Sequence, residues 1–168
     1  MVQLLFSHLL YDIEQQTYSI AEARQWTPEQ KAEAQMDNSD HLKDMAMRWC
    51  EEGCAMLKAV LKDKINTEDE AESASDELVY NTKTWTFDTT LSIDAHTQAM
   101  LFHRFVVAYA MWQWARMHAP AEASAMEGLL AIAKKEVEKE AHALGTPKKI
   151  RPKLFDLQAP EIEVNWTD

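Results

Sequence analysis

Glycine is scarce in this chain, three residues in 168, alongside five prolines. So few glycines leave little room for the left-handed turns that sheet-heavy topologies use. They also remove the glycine-rich loop that commonly cradles phosphate. Cysteine is almost as rare. Cys50 and Cys54 stand four apart, one helical turn, without the two-residue spacing of redox and zinc motifs. They read as two small core residues, and a reducing compartment is expected.

Basic charge is in deficit as well: 17 Lys and Arg against 28 Asp and Glu give a net charge of −11. That balance argues against a nucleic-acid surface, which needs clustered basic residues, and it keeps a free subunit soluble. No apolar run reaches the about 20 residues that a membrane span requires. The nearest, Ala99 to Met117, is interrupted by His103, Arg104 and Gln113, and an Arg near mid-span is costly in lipid. The opening MVQLLFSHLLYD lacks a basic region and is broken by Gln3, Ser7, His8 and Asp12, so it does not read as a signal peptide.

What the chain has in quantity is methionine, nine residues, and tryptophan, six. The stretch from Ala99 to Met117 concentrates them. At helical spacing Leu101, Phe102, Phe105, Val106, Ala108, Tyr109, Trp112 and Ala115 occupy more than one stripe. A helix apolar around most of its circumference is buried on most of it, so the other elements are expected to pack around this one.

The spacing predicts a first amphipathic helix over 3–24, on Val2, Leu5, Phe6, Leu9, Ile13, Ile20 and Ala21. Thr27-Pro28-Glu29-Gln30 reads as a helix start, with a capping Thr, Pro at the first position and Gln three residues after the cap. The element it opens is short and exposed. A second long helix is predicted over 40–64, its buried stripe running through Leu42, Met45, Ala46, Trp49, Cys50, Gly53, Leu57, Val60 and Leu61. Gly53 in a helix interior is worth about 1 kcal/mol less than Ala, and a close helix crossing is the usual reason to keep one.

Residues 66–77 are acidic, carry no large apolar side chain and read as a solvated loop. From 78 to 91 the pattern changes to period two, with Val79, Trp85, Phe87, Thr89 and Leu91 on one parity. This is the one strand signal in the chain. It must pair with itself, with another segment or with a neighbouring subunit, because a lone strand leaves its ladder groups unpaired.

Ser92 or Asp94 is expected to cap the central helix. Pro120 opens a last helix with a stripe through Ala123, Met126, Leu130, Ala133, Val137, Ala141 and Leu144, stopped by Gly145 and Pro147. The short connection at Ala119 makes the last two helices antiparallel neighbours. Beyond Pro147 the chain is aperiodic, with two more prolines, a basic base and a run of apolar residues.

The reading is therefore a mainly α, four-helix bundle-like domain over 1–147 with one β-strand or hairpin, and an extended carboxy-terminal arm over 148–168. Partner contacts are expected at Trp85 and Phe87 by strand-edge addition, and in the arm at Lys148, Lys149, Arg151, Lys153, Phe155 and Trp166. No catalytic motif, cofactor or resident metal is expected. The most tempting ligand set is Asp94, His96 and His103, two His residues two turns apart with a carboxylate near. Helical carboxylate di-metal bundles, however, use Glu-x-x-His pairs that this sequence lacks. A capping Asp and ordinary His residues are the alternative. Asp40, His41 and Asp44 sit where capping and the helix dipole already call for Asp.

The order of elements resembles a known group. Leu9-Leu10-Tyr11-Asp12 in the first helix, DHLKDMAMRWCEEGCAMLKAVL in the second, an acidic loop and a strand come first. Tyr109, Trp112 and Trp114 then end the central helix, before an Ala-Pro turn and an Arg-Pro-Lys exit. This resembles small helical virion structural proteins of tailed phages and prophages of the Bacteroides type, and is more loosely similar to phage head–tail connector (neck adaptor) proteins. Over residues 4–155 the resemblance implies a non-enzymatic subunit of a homo-oligomeric ring between portal and tail-completion proteins. Such a subunit sits in the particle neck and, before assembly, in the host cytoplasm. A helical protein-interaction adaptor and a metal-dependent helical enzyme are the alternatives.

Overall fold

A computed structural model describes residues 1–35, 40–65 and 83–143. The fold is mainly helical with a short two-stranded antiparallel sheet. In chain order the elements are β1 (Val2–Leu5), α1 (Phe6–Ala23), α2 (Pro28–Ala34), α3 (Asp40–Leu61), β2 (Thr84–Phe87), α4 (Ala95–His118) and α5 (Ala123–His142). Single turns of 3-10 helix at Lys62–Lys64 and Pro120–Glu122 follow α3 and precede α5.

The amino terminus corrects the sequence reading. Residues 2–5 are a strand and the helix starts only at Phe6. Val2 and Leu4 are buried while Gln3 and Leu5 face out, which is period two and not the helical stripe. β1 pairs antiparallel with β2, Val2 opposite Phe87 and Leu5 opposite Thr84. The strand signal around 85 thus has its partner inside the chain. No capping side chain starts α1; its first N–H, from Phe6, donates to the Lys83 carbonyl at 2.9 Å, so the ribbon satisfies a donor that a helix start leaves open.

Helix α2 carries the full capping box. Thr27 Oγ1 accepts from the Gln30 N–H, and Gln30 Oε1 accepts from the Thr27 N–H. Asp94 caps α4 by accepting the Thr97 N–H at 3.0 Å. The 3-10 turn after α3 is tied to the exit from β2 by the Thr90 N–H, which donates to the Lys64 carbonyl at 2.9 Å.

α4 is the centre of the molecule. Its buried residues include Phe102, Phe105, Val106, Val107, Ala110, Met111 and Trp114, on more than one face, as the sequence requires. α1 runs beside it in the same sense, with Asp12 against His103 and Trp26 against Trp114. α3 crosses another face, where Gly53 lies against Val106 and Tyr109, and Glu52 accepts from the Tyr109 hydroxyl at 3.1 Å. α5 returns antiparallel along a third face through Ala133, Val137 and Ala141, with Arg104 donating to Glu136 at 2.7 Å. The buried polar Gln98 is satisfied by Thr89 and by the Ile93 carbonyl.

Candidate functional site

Three neighbours cover three sides of α4, and the fourth side is a groove. α1 and β1 form one wall, α5 forms the other, and the floor is a stripe of α4 that begins at His96 and ends at Met111. Floor positions 96, 99/100, 103/104, 107/108 and 111 recur at helical spacing, so the groove follows the helix for about 22 Å. Its volume is about 650 Å³.

The two walls differ in chemistry. On the α5 side Met126, Leu129 and Ile132 line it, and Leu129 and Ile132 are 51% and 56% exposed. Met100 on the floor is 58% exposed. On the α1 side His8, Asp12 and Gln16, one turn apart, present polar groups. Asp12 Oδ2 lies 2.7 Å from His103 Nε2, and the Arg104–Glu136 pair closes the same level from the α5 side.

His96 and His103 both face this groove, as two turns of separation require, but Asp94 does not join them. Its carboxylate accepts from the Thr97 backbone N–H and hydroxyl, and those bonds hold its pKa below the ordinary carboxylate range. The carboxylate beside His103 is Asp12, 91 residues away in sequence and on another helix. Among the described residues no group of three His, Cys, Asp or Glu side chains is placed to hold a metal ion. The ligand set Asp94, His96 and His103 is therefore not assembled, and Asp94 acts as the helix cap.

Cys50 and Cys54 are free and buried. Burial pushes both thiols up, Cys54 to about 12, so neither is a thiolate nucleophile near neutral pH.

The two strand aromatics expected to meet a partner occupy different places. Phe87 is 1% exposed and packs edge-on against Phe102 at 5.4 Å. It is a core residue, because the parity it shares with Trp85 faces α4, and it cannot serve as a surface anchor. Trp85 is half-buried, edge-on to Phe6 at 6.1 Å, with the Lys83 ammonium 5.8 Å from its ring centre. Lys148, Lys149, Arg151, Lys153, Phe155 and Trp166 lie outside the described residues, as does the acidic segment 66–77.

No family model, curated protein or solved structure matches this chain. No helix among the described residues is long and apolar enough to cross a membrane.

Proposed function

We propose that this chain is a non-enzymatic structural subunit of a tailed-phage particle, a head–tail connector that assembles into a ring between portal and tail-completion proteins. The observation that supports this reading is the open fourth side of α4. A central helix that exposes Met100 and is flanked by exposed Leu129 and Ile132 offers a neighbour a long apolar contact, and large exposed apolar surfaces mark interaction sites. Ring assembly uses heterologous contacts, one patch on a subunit against a different patch on the next. The groove is suited to be one such patch. Residues 148–168 would supply the other, with Phe155 and Trp166 as anchors, since aromatic side chains dominate contacts of this kind.

Mass spectrometry and imaging of purified particles test this reading. A ring of this chain at the particle neck is the expected result. Its absence from particles that carry portal and tail proteins would overturn the assignment. The same groove serves a free-standing protein-interaction adaptor equally well, and gene neighbourhood separates the two: portal, capsid and tail genes alongside favour the virion subunit.

A further inference from the structure

The groove is open in the described residues, and the chain continues for 25 residues beyond Ala143. We propose that, in the free subunit, residues 148–157 of the same chain occupy this groove. The inference rests on the assembly reading only for its purpose, which is to keep the contact surface covered until a neighbour arrives.

The described chain stops beside the groove. α5 runs antiparallel to α4, and Glu136 is level with Arg104. Ala143 lies seven residues further on, about 10 Å at helical rise, so α5 delivers the chain level with the start of α4, beside the His96 end of the groove. Gly145 and Pro147 follow at once, residue types that suit a chain reversal. A tethered segment released at the mouth of a site has a high effective concentration there.

Length fits as well. The groove floor is about 22 Å long, and ten extended residues reach about 30 Å. Pro152 within the segment, with Pro147 just before it, disfavours a helix there.

The order of residue types along α5 runs from polar to apolar. Along α5 from its end toward its start, Glu140 and Glu136 come first, and then Ala133, Ile132, Leu129 and Met126. Asp12 stands at the Glu136 level on the opposite side, beside His103. The segment leaving α5 reads KKIRPKLFDL, with Lys148, Lys149, Arg151 and Lys153 followed by Leu154, Phe155 and Leu157. Laid back into the groove, its basic residues pass the level where Asp12 and Glu136 already pair with His103 and Arg104, and its apolar residues meet the apolar wall. Phe155 then covers the exposed faces of Leu129 and Ile132.

Methyl-labelled methionine gives a direct readout in the full chain. Met100 and Met126 line the groove, while Met56 and Met117 are exposed outside it. Phe155→Glu in the full chain is expected to shift the Met100 and Met126 methyl resonances and leave those of Met56 and Met117 in place, with helicity unchanged. The shift difference should persist on dilution.

A photo-crosslinking residue at Ile132 should join residues 148–157 within a single chain. This second measurement needs no change to the arm and so decides the matter even if the Phe155 variant fails to fold. Unmoved groove methyls together with no crosslink to the arm would overturn the inference. A shift that vanishes on dilution, or a crosslink found only between chains, would also overturn it and make a second copy the occupant. Particle analysis is a separate test: a chain found in particles whose free form has an empty groove removes this inference and leaves the proposed function standing.

Discussion

The indole Nε1–H of Trp114, at the centre of the core, donates to the backbone carbonyl of Ala34, the last residue of α2, at 2.8 Å. A helix leaves its final carbonyls without partners, and this one is satisfied by a side chain 80 residues further along the chain. The bond fixes the short α2 against the far end of α4, beside the contact between the Trp26 and Trp114 rings at 6.0 Å.

Trp114→Phe keeps a ring in place but strands that carbonyl. Leaving a buried acceptor unpaired costs about 1–3 kcal/mol, and imperfect packing of the smaller ring adds to it. Trp112 is half-buried, with the Arg116 guanidinium 4.9 Å from its ring centre, so Trp112→Phe should cost under about 1 kcal/mol. Urea unfolding of the two variants checks the difference, and equal losses would show that the Trp114 bond contributes nothing.

Gly53 sits at the α3–α4 crossing, yet a Cβ placed there meets Tyr109 and Val106 at 3.4 Å, ordinary contact distance. Gly53→Ala is therefore expected to stabilise the protein by about 0.5–1 kcal/mol through helix propensity, whereas Gly53→Leu forces the helices apart and destabilises it. Gly128, on α5, has nothing within 4 Å of such a Cβ, so Gly128→Ala should give a comparable gain. Thermal melts of the three variants decide. A loss on Gly53→Ala would mean that the crossing is tighter than these distances.

The thiols offer a chemical probe of the same interface. Because burial raises both, Cys50 and Cys54 should resist alkylation in the folded protein near neutral pH and react once urea unfolds it. Above the ordinary thiol value of 9.0 the unfolded chain loses protons that the folded chain retains, so stability should fall as pH rises from there toward 12. Cys50→Ala/Cys54→Ala should reduce that alkaline slope, leaving the part from the Tyr109 hydroxyl, which burial also pushes up. Rapid labelling of the native protein would contradict the burial.

His118 lies against the Trp114 ring at 6.1 Å, and its Nε2 has no hydrogen-bond partner among the described residues. Desolvation lowers its pKa below the ordinary value of 6.5, with Glu33 opposing the shift in part. The folded state prefers the neutral ring. Its contribution is complete above pH 6.5 and is lost as pH falls through the folded value. Stability measured against pH should therefore decline on the acid side of 6.5, and His118→Gln should flatten that part of the curve. An unchanged slope in the variant would assign the decline to other groups.

Local signals in this sequence were sound wherever local chemistry sets the outcome. Thr27-Pro28-Glu29-Gln30 announces α2, Asp94 caps α4, and the period-two alternation that puts Trp85 and Phe87 on one face is present. Pairing between residues distant in the chain leaves no local mark. Val2, Leu5, Phe6 and Leu9 satisfy helical spacing as well as they satisfy a strand followed by a helix, and only pairing with residues 84–87 selects the second. Parity groups Phe87 with Trp85 but does not say that this face meets Phe102. His103 signals a site only when Asp12 is beside it, and nothing in either helix alone announces that meeting.

The position of α4 within the chain has a consequence for biosynthesis. The helix that every long element packs against begins at Ala95, so more than half of the polypeptide leaves the ribosome before its packing partner exists. At a synthesis rate of about 5–20 residues per second, β1 and α1 wait several seconds for β2 and α4. Nascent chains arrested ahead of Ala95 should be open to proteases along their whole length. Those arrested after α5 has emerged should become resistant in a single step.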